Sequence, residues 1–249
     1  MYYTEIQNRI IELYDFDFRV LKYSTQFYSD DLKKIHKQFQ DWNGGGTHRL
    51  FNTLTKKVGT IPTLSTFLEK GLLITLKNLK KNELMSTMLL SYKDELDKWI
   101  LLRLFKAYRS HIIELSIIGY FKEFYKNIKI ISSTNIDMIL GVDFILEDSK
   151  TQKRYYVHVT QEGTNYKNKE SRGRMKRDFT GHVGFYYCIK NDLLNSHFIS
   201  LPTPEKIEHY LELWRNSEHL GESLETIYSE LDRLNDYMKL NKSNIKLSS

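Results

Sequence analysis

The sequence predicts an α/β protein: a mixed sheet flanked by helices, preceded by a helical N-terminal region and closed by C-terminal helices. Three observations predict it. Over the first hundred or so residues, apolar side chains recur every three or four positions, as at Ile6, Ile10 and Leu13 and at Leu50, Leu54 and Val58. That is the spacing of one helix face. After Ser110 the pattern changes, and "IKIISS", "GVDFILED" and "KRYYVHVTQ" bring β-branched runs and strict alternation, the mark of half-buried strands. A further strand, "HVGFYYCI", and the helix "TPEKIEHYLELWRN" follow. The order helix, three strands, basic segment, strand, helix describes an α/β core.

The elements follow in order. "NGGGTHR", Asn43 to Arg49, is a break with a helix start at Thr47. Pro62 stands where a first helical turn begins, and Gly71 is the expected stop. Thr53 to Gly71 therefore has the form of a helix-turn-helix in which Thr63, Ser65 and Thr66 reach the major groove. A plain helical hairpin is the commoner reading of such a pattern. "NELMSTMLLSYKDELDKWILLRLFKAY" makes one long helix or two short ones. "SHIIELSIIGYFKEFYK" is read as a separate helix capped by Ser110. "DSKTQK" is a turn between two strands, and "YKNKESRGRMKRDF" is a basic segment, helical in part. Thr203, Pro204 and Glu205 form a helix start. At the C-terminal end Leu224, Ile227, Leu231, Leu234 and Met238 follow a heptad-like spacing. Docking onto the protein's own core is favoured there over a homodimeric coiled coil. The expected division is a helical region, residues 1–108, for DNA recognition or dimerisation, and an α/β core with C-terminal helices, residues 109–249.

Composition narrows the class. The chain has 249 residues, 41% apolar and 13% aromatic, enough for a sizeable core. Its net charge is +6 and its pI about 9.1, which permits a nucleic-acid partner without demanding one. The single cysteine, Cys188, excludes an intrachain disulfide and a thiolate zinc cluster. A reducing, cytoplasmic setting is expected, with no signal pattern at the N-terminus. No apolar run approaches the roughly 20 residues of a membrane span.

Side chains alternate across a strand. Asp143, Ile145 and Glu147 thus share one face, opposite Val142, Phe144 and Leu146. In the next strand His158 and Thr160 lie opposite Tyr155, Val157 and Val159. Pairing of the two strands lets Asp143, His158 and Thr160 converge at one end of the sheet. Glu114 adds a further carboxylate from within "HIIELSIIGYF", where burial demands a cation or a hydrogen-bond donor. Carboxylates beside one neutral ligand suit Mg²⁺, which polarises a phosphodiester and activates water. Lys167, Lys169, Arg172, Arg174, Lys176 and Arg177 follow directly and suit a phosphate backbone. Each residue has a plainer reading. Asp143 can flank a turn, Asp137 can be a loop residue, Glu114 can pair with Arg109 or Lys122, and His158 can be a solvated edge residue. Asp is disfavoured inside a strand, which singles out Asp143.

Taken together, a helix bearing Glu114, a strand, Asp137, "GVD" at Gly141 to Asp143, a turn, the strand end "HVTQ" and a basic segment resemble the PD-(D/E)XK nucleases. Within that superfamily they are most similar to the TaqI-type restriction endonucleases. The resemblance runs from Glu114 to about Lys176. It implies a restriction-endonuclease-like core and a divalent-metal-dependent endonuclease of the restriction-modification type acting on double-stranded DNA. Mg²⁺ or Mn²⁺ would be bound by Asp143, Glu114, Asp137 and His158. Thr160 stands where the family keeps its lysine, so His158 would act as ligand or base, with a cation such as Lys167 or Lys169 supplied from elsewhere. The very-short-patch mismatch-repair endonucleases of the same fold likewise lack the lysine and depend on histidine. The alternative is a catalytically inactive DNA-binding protein of this fold, a regulator or a subunit of a recombination or defence complex. RNA as the partner is a third class that these residues allow.

Overall fold

A computed structural model describes residues 2–16, 46–79, 93–133, 136–161, 181–191, 197–200 and 203–246. The chain forms two units. The first holds the described residues up to Ser116 and the second those from Ile117 onward. The division falls inside a helix rather than after Tyr108.

The first unit is helical, as its periodicity predicts: α1 (Tyr2–Asp15), α2 (Gly46–Val58), α3 (Leu64–Leu79) and most of α4 (Lys93–Phe124). Ile6, Ile10 and Leu13 are buried along α1. Phe51, Phe67 and Tyr108 form an aromatic knot, with centroids 5.3 to 5.9 Å apart. The Tyr108 hydroxyl donates to the Pro62 carbonyl at 2.8 Å. Burial, and the Glu12 charge after it, push the Tyr108 phenol far above its ordinary value.

Two expected boundaries are displaced. Gly71 does not stop α3. A Cβ there would lie 2.7 Å from Leu104 Cδ1, so the glycine serves the close approach of two helices, not a terminus. Ser110 does not cap a helix either. No proline or glycine interrupts α4 before Gly119, and the Ser110 hydroxyl donates to the Lys106 carbonyl one turn back, which satisfies it within a helix.

The helix-turn-helix reading of residues 53–71 meets an obstacle in α1. Its carboxylates sit at the start of α3: Ile61 N donates to Glu5 Oε1 at 2.5 Å and Leu64 N to Glu12 Oε2 at 2.9 Å. The Thr63 hydroxyl donates to Thr66 Oγ1, accepts from Thr66 N and contacts Ser65 Oγ. The helix start that would meet a phosphate thus already holds two negative groups, and the pair is a helical hairpin capped from its own unit.

The second unit is a mixed α/β structure. Its strands are β1 (Ile128–Ile131), β2 (Phe144–Asp148), β3 (Lys153–Gln161), β4 (His182–Asn191), β5 (His197–Ser200) and β6 (Glu222–Ser223). The first five lie in sequence order, and β6 adds to β3. β1–β2, β2–β3 and β4–β5 pair antiparallel, while β3 and β4 pair parallel. A hairpin serves for β2–β3, where Gln152 takes a positive φ of 54°. A parallel pair needs a crossover, and the basic residues expected there, 162–180, lie outside the described residues.

On one face, α5 (Pro204–Asn216) packs Tyr210 against Phe185 and Trp214 against Tyr155. Thr203 caps α5, accepting from Lys206 N. On the other face, the π-helical turn Ile136–Leu140 and α6 (Glu230–Lys246) bury Ile136, Ile139, Leu140 and Leu234 against Val142, Ile145 and Tyr156. Leu231 and Met238 pack there as well. The heptad-like seam therefore docks inward, and Leu224 and Ile227 lie before the helix begins. Among the described residues no helix is long and apolar enough to cross a membrane.

Candidate functional site

The site forms because β3 outruns β2. Residues 144–148 pair with 157–153, which leaves His158 to Gln161 beyond the end of β2 while β4 continues alongside. Gly141, at φ 68°, turns the chain into β2. Asp143 N donates to the Val157 carbonyl. The next inward amide, Val159 N, finds no strand opposite and donates at 2.5 Å to Asp143 Oδ2. The carboxylate thus extends the ladder where the backbone stops. Asp143 sits at the entrance of β2, one residue before the strand itself, against the amide between His158 and Thr160.

His158 and Thr160 are both buried. They point to the face covered by the π-helical turn and α6, together with Ile145 and Tyr156. His158 lies opposite Gly184 and Thr160 opposite Tyr186. A Cβ on Gly184 would fall 2.7 Å from the Tyr186 ring, so the glycine lets that ring lie across β4. Burial raises the Tyr186 phenol above its ordinary value.

His158 does not stand at a solvated edge. Its Nε2 is 2.6 Å from His182 Nδ1, and His182 Nε2 is 2.9 Å from Glu230 Oε2. Relative exposures are 6% for His158, 1% for His182 and 5% for Glu230, so the chain of three groups is sealed from solvent for most of its length. The two imidazole planes are inclined by 26° with centroids 4.9 Å apart, as rings meeting nitrogen to nitrogen, and Tyr156 stacks on His182 at 5.1 Å. The Tyr156 hydroxyl donates to Glu222 Oε2 at 2.8 Å. Burial and the Glu222 charge together push this phenol far up. Arg154 ties Glu147 to Glu222, at 2.7 and 3.5 Å. His182 and Glu230 were missed by sequence reasoning. His182 falls in the expected strand "HVGFYYCI", and Glu230 falls within the heptad-like stretch, where only the apolar positions carry a reading.

Of the remaining expected site residues, Asp137 and Glu114 are carried on other elements. Asp137 is carried, half-buried, on the π-helical turn, with its N–H donating to the Ser133 carbonyl. Glu114 lies half-buried on α4 within the first unit. Lys167, Lys169, Arg172, Arg174, Lys176 and Arg177 lie outside the described residues. Among the described residues no group of three or more His, Cys, Asp or Glu side chains is arranged to hold a metal ion. Of the ligands that the resemblance implies, Asp137, Asp143 and His158 belong to the second unit and Glu114 to the first.

Scans against protein-family models, curated proteins and solved structures return no match to this chain.

Proposed function

We propose that the second unit is a phosphodiester-cleaving nuclease of the PD-(D/E)XK kind, acting on double-stranded DNA with Mg²⁺ or Mn²⁺. The observation that carries the reading is Asp143 at the entrance of β2, its carboxylate held against the amide between His158 and Thr160. The sheet is compatible with it: three antiparallel strands and a fourth parallel to the third, flanked by helices, make a mixed sheet of the kind that the resemblance implies. Asp143 would hold the ion, which when bound polarises the phosphodiester and stabilises the leaving oxygen. His158 accepts the proton of the attacking water, the work left undone by the missing lysine. The Thr160 hydroxyl orients that water from the same strand face.

The test is cleavage of supercoiled plasmid with Mg²⁺ or Mn²⁺. Asp143→Ala is expected to abolish cleavage while DNA binding persists. Equal behaviour of the variant and the wild type sinks the reading.

One observation favours a second reading. Asp143 Oδ2 already serves the Val159 amide, and Thr160 carries no charge, so the site also fits a DNA-binding protein that does not cut. That reading predicts DNA binding with no cleavage by the wild type under either metal.

A further inference from the structure

The Glu230–His182–His158 chain has a direction set by its chemistry. A carboxylate only accepts, so the proton in the 2.9 Å contact sits on His182 Nε2. In the neutral ring His182 Nδ1 then carries a lone pair, and the proton in the 2.6 Å contact belongs to His158 Nε2. His158 is thereby held with a proton on Nε2 and its basic lone pair on Nδ1. Three elements build this arrangement: β3 supplies His158, β4 His182 and α6 Glu230. Parallel pairing sets Tyr156, not His158, opposite His182, so the two imidazoles meet diagonally, nitrogen to nitrogen. Burying three ionisable groups is costly unless each is hydrogen-bonded, and here both hydrogen bonds are donated from His158 through His182 toward Glu230.

We infer that Glu230 and His182 are the positioning pair of this site. They fix the tautomer of His158 so that Nδ1 takes the proton of the attacking water. The inference rests on the nuclease reading above and adds the two residues that make His158 an effective acceptor. In the step, the water oxygen bonds to phosphorus and the bond to the leaving oxygen breaks, its electron pair staying on that oxygen. The water proton goes to His158 Nδ1. The proton on His158 Nε2 passes to His182 Nδ1, and the positive charge comes to rest on the His182 ring beside the Glu230 carboxylate.

A purely structural network would tie α6 to the sheet and nothing more. Glu230→Gln separates the two roles, because the amide oxygen still accepts from His182 Nε2 but carries no charge. Plasmid cleavage by the full chain is expected to show kcat reduced by about 100-fold with KM unchanged. His182→Ala is expected to lower kcat at least as far, whereas Glu230→Asp restores part of it. An unchanged kcat in Glu230→Gln overturns the inference. A second readout needs no activity. Ring nitrogen NMR of the full chain, without metal or DNA, is expected to show Nε2–H on both His158 and His182. A resident Nδ1–H tautomer on His158 in the neutral ring overturns the inference independently. A wild-type chain that cuts nothing yet holds both rings as Nε2–H supports the tautomer assignment and overturns only the nuclease reading.

Discussion

Asp148 shows how one side chain ties the sheet to its flanking helix. Burial works against its charge, but the Arg215 guanidinium at 2.7 Å, the Lys150 amide and the Thr151 hydroxyl outweigh that and hold its carboxyl below the usual range. Glu147 behaves alike: burial raises it, while Lys129 and Arg154 lower it further. A carboxylate with a depressed folded-state pKa contributes stability above its unfolded value, near 4, and loses it as pH falls through the folded value. Thermal melting of the wild type should therefore drop steeply below about pH 4. Asp148→Asn should melt lower at neutral pH and show a shallower acid decline. Parallel pH curves for the two proteins would remove Asp148 from the account. Gly184 gives a second expectation at this scale. An added Cβ would meet the far end of Tyr186, so Gly184→Ala displaces the ring rather than the strand. Urea denaturation should show a loss of about 1–2 kcal/mol.

Among the elements, the helix starts carry the clearest expectations. Thr203→Ala removes the oxygen that accepts from Lys206 N and should cost about 1 kcal/mol in urea denaturation. In the first unit, α3 is capped from α1, an arrangement no local pattern announces. Glu12→Ala frees Leu64 N and should cost a similar ~1 kcal/mol, with Glu12→Gln costing less because the amide oxygen still accepts. Equal losses for the two Glu12 variants would point to packing rather than capping. The local signals that succeeded are those whose physics is local. Thr203–Pro204 starts a helix because of its own backbone and hydroxyl. "KRYYVHVTQ" alternates because one face of β3 meets α5 and the other α6. Gly71 and Ser110 misled for the converse reason: each residue type has one meaning at a helix end and another within, and only the neighbouring helix or turn decides between them.

For the molecule as a whole, charge bears on the proposed substrate. A net charge of +6 and the basic run 167–177 predict DNA binding that weakens with salt. Neutralising Lys167, Arg172 and Arg174 together should lower affinity uniformly across sequences. It should also flatten the plot of log affinity against log salt by about 0.9 for each phosphate that the chain no longer neutralises. Titrating labelled duplexes of unrelated sequence at several salt concentrations checks both points. A loss of affinity confined to one sequence would make these residues readers of bases instead of phosphates. Cleavage and binding separate here: Asp143→Ala is expected to stop the first and spare the second.

The sequence by itself determined the α/β class, the order of the main elements and the face on which His158 and Thr160 lie. Periodicity, alternation and caps are properties of neighbouring residues, and these conclusions need nothing else. Only the tertiary structure decided what surrounds His158. His182 lies 24 residues beyond it and Glu230 a further 48. They reach it because β4 runs parallel to β3 and α6 lays its first turn over that face. A contact created by strand pairing and helix docking leaves no trace in local spacing, so the sequence could offer His158 as ligand, base or edge residue. The fold made it the end of a buried, hydrogen-bonded chain.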